Sequence, residues 1–293
     1  MAGALPPPLS RGFLHLPLEG IADAGDTLDR VVAGDLLGVV VQSVYDRAAL
    51  AQVADRLAAL EDLPPAIPFA PFKDDDEPPY ERGLALVSAS DRLDRYLADA
   101  VRQRAFLDRL FAELPPLEAR LDALLTTLGG GRPTTVTLGP DLDGTYTPAT
   151  LRVLTEGYGI DLHVGLSFLD LPCCRHLCSL IDPSMQLSWF LTLKVAEEGG
   201  ELVTYGLTWD EARRDAGHPG AIVQAGQVVV TGAPAARLRR LPALAVRPEP
   251  GDVLIFDGGH WYHEVTAPRG GERRTLGGFL AYSADHRRIL RWA

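Results

Sequence analysis

The change of texture at Thr134 constrains the fold of this chain more than any other feature. From there on, short runs rich in β-branched and aromatic residues alternate with Gly, Pro and Asp. They fall at 134–138, 149–155, 159–166, 186–195, 201–208, 226–230, 252–256, 261–265 and 274–282, and each has the length and composition of a strand. The half before them reads differently. An apolar stretch at 36–44 reads as a strand; Asp46 then offers an N-cap, and Ala49, Leu50, Val53, Leu57 and Leu60 recur at helical spacing until Pro64 and Pro65. Further helices are expected at 90–113, with Leu93, Leu97 and Val101 on one face, and at 116–128, with Leu117, Leu121 and Leu124. Prolines make residues 1–20 an irregular arm and 64–79 an exposed loop; a brief helix is expected at 284–290.

Many short strands after a helical half imply two packed sheets buttressed by helices. The expected class is α+β, with a double-stranded β-helix (a cupin-like jelly roll) as the core. One domain spans 1–293 in this reading, with helical support mainly at 45–130 and the barrel at about 134–283.

The net charge of -11 and the lack of a basic run interleaved with aromatics exclude a phosphate-tracking groove, so no nucleic acid partner is expected. No window approaches the roughly 20 apolar residues of a spanning helix, and the start lacks a basic and apolar leader. A cytoplasmic protein with no membrane partner is expected. Gly129, Gly130 and Gly131 follow no strand and carry no Lys-Ser or Lys-Thr, which argues against a phosphate loop. The acids at 74–77 read as a solvated turn. Cys173, Cys174, His176 and Cys178 form a CCxHxC cluster, yet adjacent cysteines rarely reach separate corners of a tetrahedral site, so buried thiols are the favoured reading.

Two histidines, His163 and His263, lie in strand-like runs 100 residues apart, where an early and a late barrel strand can meet. Neutral imidazoles suit iron(II), which ordinarily takes a carboxylate two residues after the first histidine, on the same strand face. Here that position is Gly165. A glycine supplies no ligand, and the open coordination position suits an external anion such as chloride. Beyond His263, Arg273 and Thr275 share one strand face and together suit the far carboxylate of 2-oxoglutarate; Arg274, of opposite parity, is the alternative if a bulge intervenes. Gly277, Phe279 and Ala281 continue the Arg273 face. His15, His176, His218, His260 and His286 read as ordinary polar residues.

The segments TYTPATLRVLTEGYGIDLHVG, QLSWFLTLKVAEEGGELVTYGLTW, GDVLIFDGGHWYHEVT and RRTLGGFLAYS closely resemble the carrier-independent iron(II)/2-oxoglutarate halogenases that chlorinate aliphatic carbons in hapalindole and welwitindolinone alkaloid biosynthesis. The resemblance is strong over about 140–285. It implies Fe(II), 2-oxoglutarate, chloride and O2 as cofactors and cosubstrates, with His163 and His263 as iron ligands and Gly165 at the vacant position. Arg273 and Thr275 become the cosubstrate anchor, and Ser188 a hydroxyl beside the oxidant. The implied substrate is a hydrophobic small molecule, free of any carrier protein. The competing readings are a hydroxylase of the same fold, completed by Asp161, Asp170 or water, and a binding protein with structural histidines.

Overall fold

The computed structural model describes residues 11–69, 72–89, 92–140, 143–214 and 230–293. Its strands in chain order are β1 (Phe13–Pro17), β2 (Gly38–Gln42), β3 (Ala66–Pro68), β4 (Tyr80–Arg82), β5 (Thr134–Val136), β6 (Thr150–Leu154), β7 (Ile160–His163), β8 (Leu187–Lys194), β9 (Leu202–Thr208), β10 (Ala243–Val246), β11 (Val253–Phe256), β12 (Trp261–Val265), β13 (Arg273–Tyr282) and β14 (Ile289–Trp292). The large sheet runs β1-β2-β11-β8-β13-β6-β4-β3, with β14 on β13 and β5 on β14. The small sheet runs β10-β9-β12-β7 and closes the barrel. This is the double-stranded β-helix of the expected α+β class.

Two-residue alternation divides each strand between two interiors. On β8, Leu187, Trp189 and Leu191 join the outer core, as do Val39 and Val41 of β2 and Val253 and Ile255 of β11. That core is completed by the helices Arg47–Ala59, Leu93–Leu110 and Leu117–Leu128, through Leu50, Val53, Phe106, Leu110, Leu121 and Leu125. The intervening residues Val40, Phe190, Leu254 and Phe256 face Leu202 and Val265 of the small sheet. The far side of the small sheet is covered by the helix Gly232–Leu238, which packs Ala235 and Leu238 on Leu162, Val164 and Tyr262.

The helix Arg47–Ala59 begins as its sequence suggests: the Asp46 carboxylate accepts the Ala49 N–H at 2.8 Å, satisfying one of the amides a helix leaves unpaired. Four expectations are corrected. The N-terminal arm holds β1, a parallel partner of β2 whose only proline is its last residue, where an edge strand tolerates it. The loop at 64–79 contains β3, and β4 follows directly. The tail expected to be helical instead turns at Ser283 and returns as β14, whose Ile289–Trp292 run pairs with Tyr282–Phe279 of β13. In the helix Leu93–Leu110 the buried stripe is Tyr96, Ala100, Phe106, Leu107 and Leu110 with Gln103, which donates to two backbone carbonyls; Val101 is 64% exposed. Most of the run expected at 226–230, and His218, lie outside the described residues. Among the described residues no helix is long and apolar enough to cross a membrane.

Candidate active site

The closure of the barrel brings the two histidines together. β12 pairs antiparallel with β7 and sets His263 directly opposite His163, with ring centroids 4.2 Å apart. Directly opposed residues point to the same sheet face, so both rings enter the space between the sheets. Each is oriented from its own strand: His163 Nδ1 lies 2.7 Å from the Asp161 carbonyl oxygen and His263 Nδ1 lies 2.8 Å from that of Trp261. A carbonyl oxygen only accepts, so each Nδ1 carries the proton and each Nε2 keeps its lone pair. Burial pushes His163 down to about 4 and His263 well below its ordinary value, the latter helped by His163 itself. Both rings are therefore neutral at neutral pH, as metal ligation requires.

The wall of the same cavity includes Gly165, Phe168, Ser188, Phe256, Arg273 and Thr275. Phe256 meets the His263 ring edge-on at 5.0 Å. Arg273 is 5% exposed, its guanidinium 4.7 Å from the centre of the Phe190 ring. Burial, and then the nearby charge of Arg152, lower its pKa to about 10, and no carboxylate offsets the shift. A buried guanidinium without an anion is costly, so this one is set up for an anionic occupant. Arg274 points outward into an ion pair with Glu272 at 2.6 Å, despite a register shift between Arg274 and Thr275, which leaves Arg273 as the inward base. Thr192, the partner of Thr275, and Thr204, the partner of His263, hold buried hydroxyls without hydrogen-bond partners.

The donor set thus fits iron(II) and a dicarboxylate: two preset imidazole lone pairs at one side, an unpaired guanidinium with threonine hydroxyls at the other. Neither Asp161 nor Asp170 lines the cavity; Asp170 lies in a separate one with Asp182, Asp210 and His260. Among the described residues no third His, Cys, Asp or Glu gathers with the pair. Ala281, expected on the cofactor side, is buried against the helical core.

Arg152 was not singled out by the sequence reading. It lines the cavity opposite Thr275 across the β6-β13 pair, with its guanidinium 5.7 Å from the Phe279 ring centre. Its signal was available: a lone charge at inward parity in an otherwise apolar strand, TLRVL. The cysteine cluster forms no site. The Cys173 and Cys174 sulfurs sit 4.0 Å apart, Cys178 donates to the Leu169 carbonyl, and His176 bonds the Tyr146 hydroxyl through Nδ1 at 2.9 Å. Burial raises the Cys174 thiol, which keeps it protonated.

A double-stranded β-helix with two opposed strand imidazoles and an inward arginine in one cavity is consistent with the non-haem iron and 2-oxoglutarate-dependent oxidoreductases. The sequence model of the carrier-protein-independent halogenase WelO5 family matches residues 10–293, and the chain belongs to that family. Among solved structures it is similar to an N-substituted L-amino acid dioxygenase from Burkholderia ambifaria AMMD, at a TM-score of 0.50 and 17% identity over 92% of this chain and 91% of that one. A 2OG-Fe(II) oxygenase family oxidoreductase from Burkholderia pseudomallei gives 0.46 and 17%, over 95% and 99%. At such identity the first likeness concerns the fold alone. No curated protein matches the chain.

Proposed function

We propose that this chain, working as one domain, chlorinates an unactivated aliphatic C–H of a free-standing hydrophobic small molecule. His163 and His263 would hold Fe(II), Gly165 would leave room for a halide, and Arg273 with Thr275 would anchor 2-oxoglutarate. The observation that carries this reading is Gly165, which stands where a carboxylate ligand is expected, in a cavity that no aspartate or glutamate lines. When bound, iron with 2-oxoglutarate and O2 supplies the oxidising chemistry. The chain's own residues would position and enclose: the guanidinium and hydroxyl would fix the keto acid's far end, the aromatic wall of Phe168, Phe190 and Phe256 excludes water, and Ser188 lines the same cavity with a hydroxyl.

Glycine at 165 is also a steric requirement. A Cβ there would meet the Gln186 Nε2 at 2.6 Å and the Gly258 carbonyl oxygen at 2.9 Å. Gly165→Asp is therefore expected both to strain this corner and to bring a competing oxygen ligand. Chloride added to the anaerobic iron and 2-oxoglutarate complex should shift its visible absorption in the wild type and leave it unmoved in the variant, and chlorinated product should disappear from the variant's mass spectrum. Chlorination that persists at the wild-type level would end the vacant-position account.

A further inference from the structure

The residue that fills the corner beside Gly165 is Gln186. It precedes β8 by one position and lies two residues before Ser188, so strand parity aims it at the same interior. The side chain is 2% exposed. Two glycines make room for it, and a third makes room for Ser188 beside it. Beyond the contact at Gly165, a Cβ on Gly259 would strike the Gln186 carbonyl oxygen at 2.3 Å and its Cβ at 3.2 Å, and one on Gly258 would strike the Ser188 hydroxyl at 2.5 Å. Two backbone hydrogen bonds lock the niche: Gly165 N–H donates to the Gly258 carbonyl at 2.8 Å and Leu166 N–H to that of Gly259 at 3.1 Å.

None of the hydrogen bonds among the described residues uses the Gln186 amide. Gln186 is buried as a residue, and an amide group with no protein partner has its donors available to an acceptor. The Gln186 Nε2 and the Gly258 carbonyl oxygen both lie within 3 Å of where a Cβ on Gly165 would sit, which places the amide beside that position. The amino group has two N–H donors and therefore one to spare after any contact with that carbonyl.

We infer that Gln186 is a halide-binding residue: its amide N–H donates to the anion that occupies the position beside Gly165. This rests on the proposed halogenase reading and deepens it. Where a hydroxylase would project a carboxylate, this chain places a neutral donor. Gln186 thus blocks a side-chain ligand at 165 by its bulk and stabilises an exchangeable anion by its polarity. Glutamate in the same niche would present an acceptor and repel the anion.

The test is an anaerobic titration of the iron and 2-oxoglutarate complex with chloride and with bromide at constant ionic strength. Wild type, Gln186→Met and Gln186→Glu are compared, and 2-oxoglutarate affinity is measured on the same samples. Loss of one charge-assisted hydrogen bond should raise the half-saturating halide concentration about ten-fold or more in the methionine variant, and further in the glutamate variant. Affinity for 2-oxoglutarate should stay within about two-fold of wild type, since Arg273 is untouched. Wild-type halide affinity in both variants overturns the role of Gln186 while leaving the halogenase reading intact. A wild type that binds 2-oxoglutarate but gives no halide response overturns both. Should the methionine variant fail to hold iron, the glutamate variant, nearly identical in shape, decides alone.

Discussion

The loop around 173–178 and the barrel interior both carry metal-binding residue types, and of these two only the barrel aims them at one space. In the loop around 173–178, cysteines and a histidine are crowded together in sequence, yet they lie on short helical turns with the thiols turned into packing and the histidine bonded to Tyr146. In the barrel, His163 and His263 are 100 residues apart in sequence and become direct partners because β7 and β12 are paired in register. Each ring is oriented by a carbonyl of its own strand, and each leaves one nitrogen free. Density of ligand types along a chain says little about a site; convergence of lone pairs on a shared space says much more.

That contrast can be broken most directly at His263. Replacing it with alanine should remove bound iron, measured as metal per chain after dialysis, because a single imidazole without a carboxylate leaves no protein chelate. Retention of full iron would return the metal to other residues. A second test uses protons on the metal-free protein. In the unfolded chain His163 titrates near 6.5, whereas folding lowers it to about 4, so between those values the unfolded state binds the extra proton. Stability is complete above about pH 6.5 and declines as pH falls toward 4, by roughly 3 kcal/mol from this residue. Melting curves of the apo-protein should show the decline, and His163→Gln should flatten it; an equal slope in both proteins would mean that the ring is not held neutral by burial.

The comparison sharpens at the other end of the cavity. Arg273→Ala should raise the half-saturating 2-oxoglutarate concentration about 10- to 100-fold, through loss of a charge-assisted pair. Arg274→Ala, which severs a partly buried ion pair to Glu272 that lies outside the cavity, should change it little. Equal effects would move the anchor. The smallest effect belongs to the thiol loop: Cys173→Ser should leave iron content unchanged and cost about 1 kcal/mol of stability, visible as a modest drop in melting temperature. Iron loss there would revive the cluster as a metal site.

Most of the barrel was legible because strand alternation and turn residues are local signals, and β6, β8, β11, β12 and β13 fall where those signals place them. What escaped depends on distant partners. β1 and β14 exist because β2 and β13 offer them edges, and nothing within FLHLP or ILRW announces this. The histidines and Arg273 could be aligned by parity and motif, whereas Gln186 could not: its importance arises from glycines 21 and 73 residues away folding against it. Arg152 stood in plain sight, masked by the habit of reading a single charge in a strand as an outward residue.

The division of β8 between two interiors has a practical consequence for changing this enzyme's selectivity. Ser188 and Phe190 line the reaction chamber, while Leu187, Trp189 and Leu191 anchor the strand to its helical backing, Trp189 also reaching the chamber wall. Randomising alternate codons would therefore reshape the chamber while sparing the scaffold. A one-residue insertion upstream would exchange the two sets and spoil both.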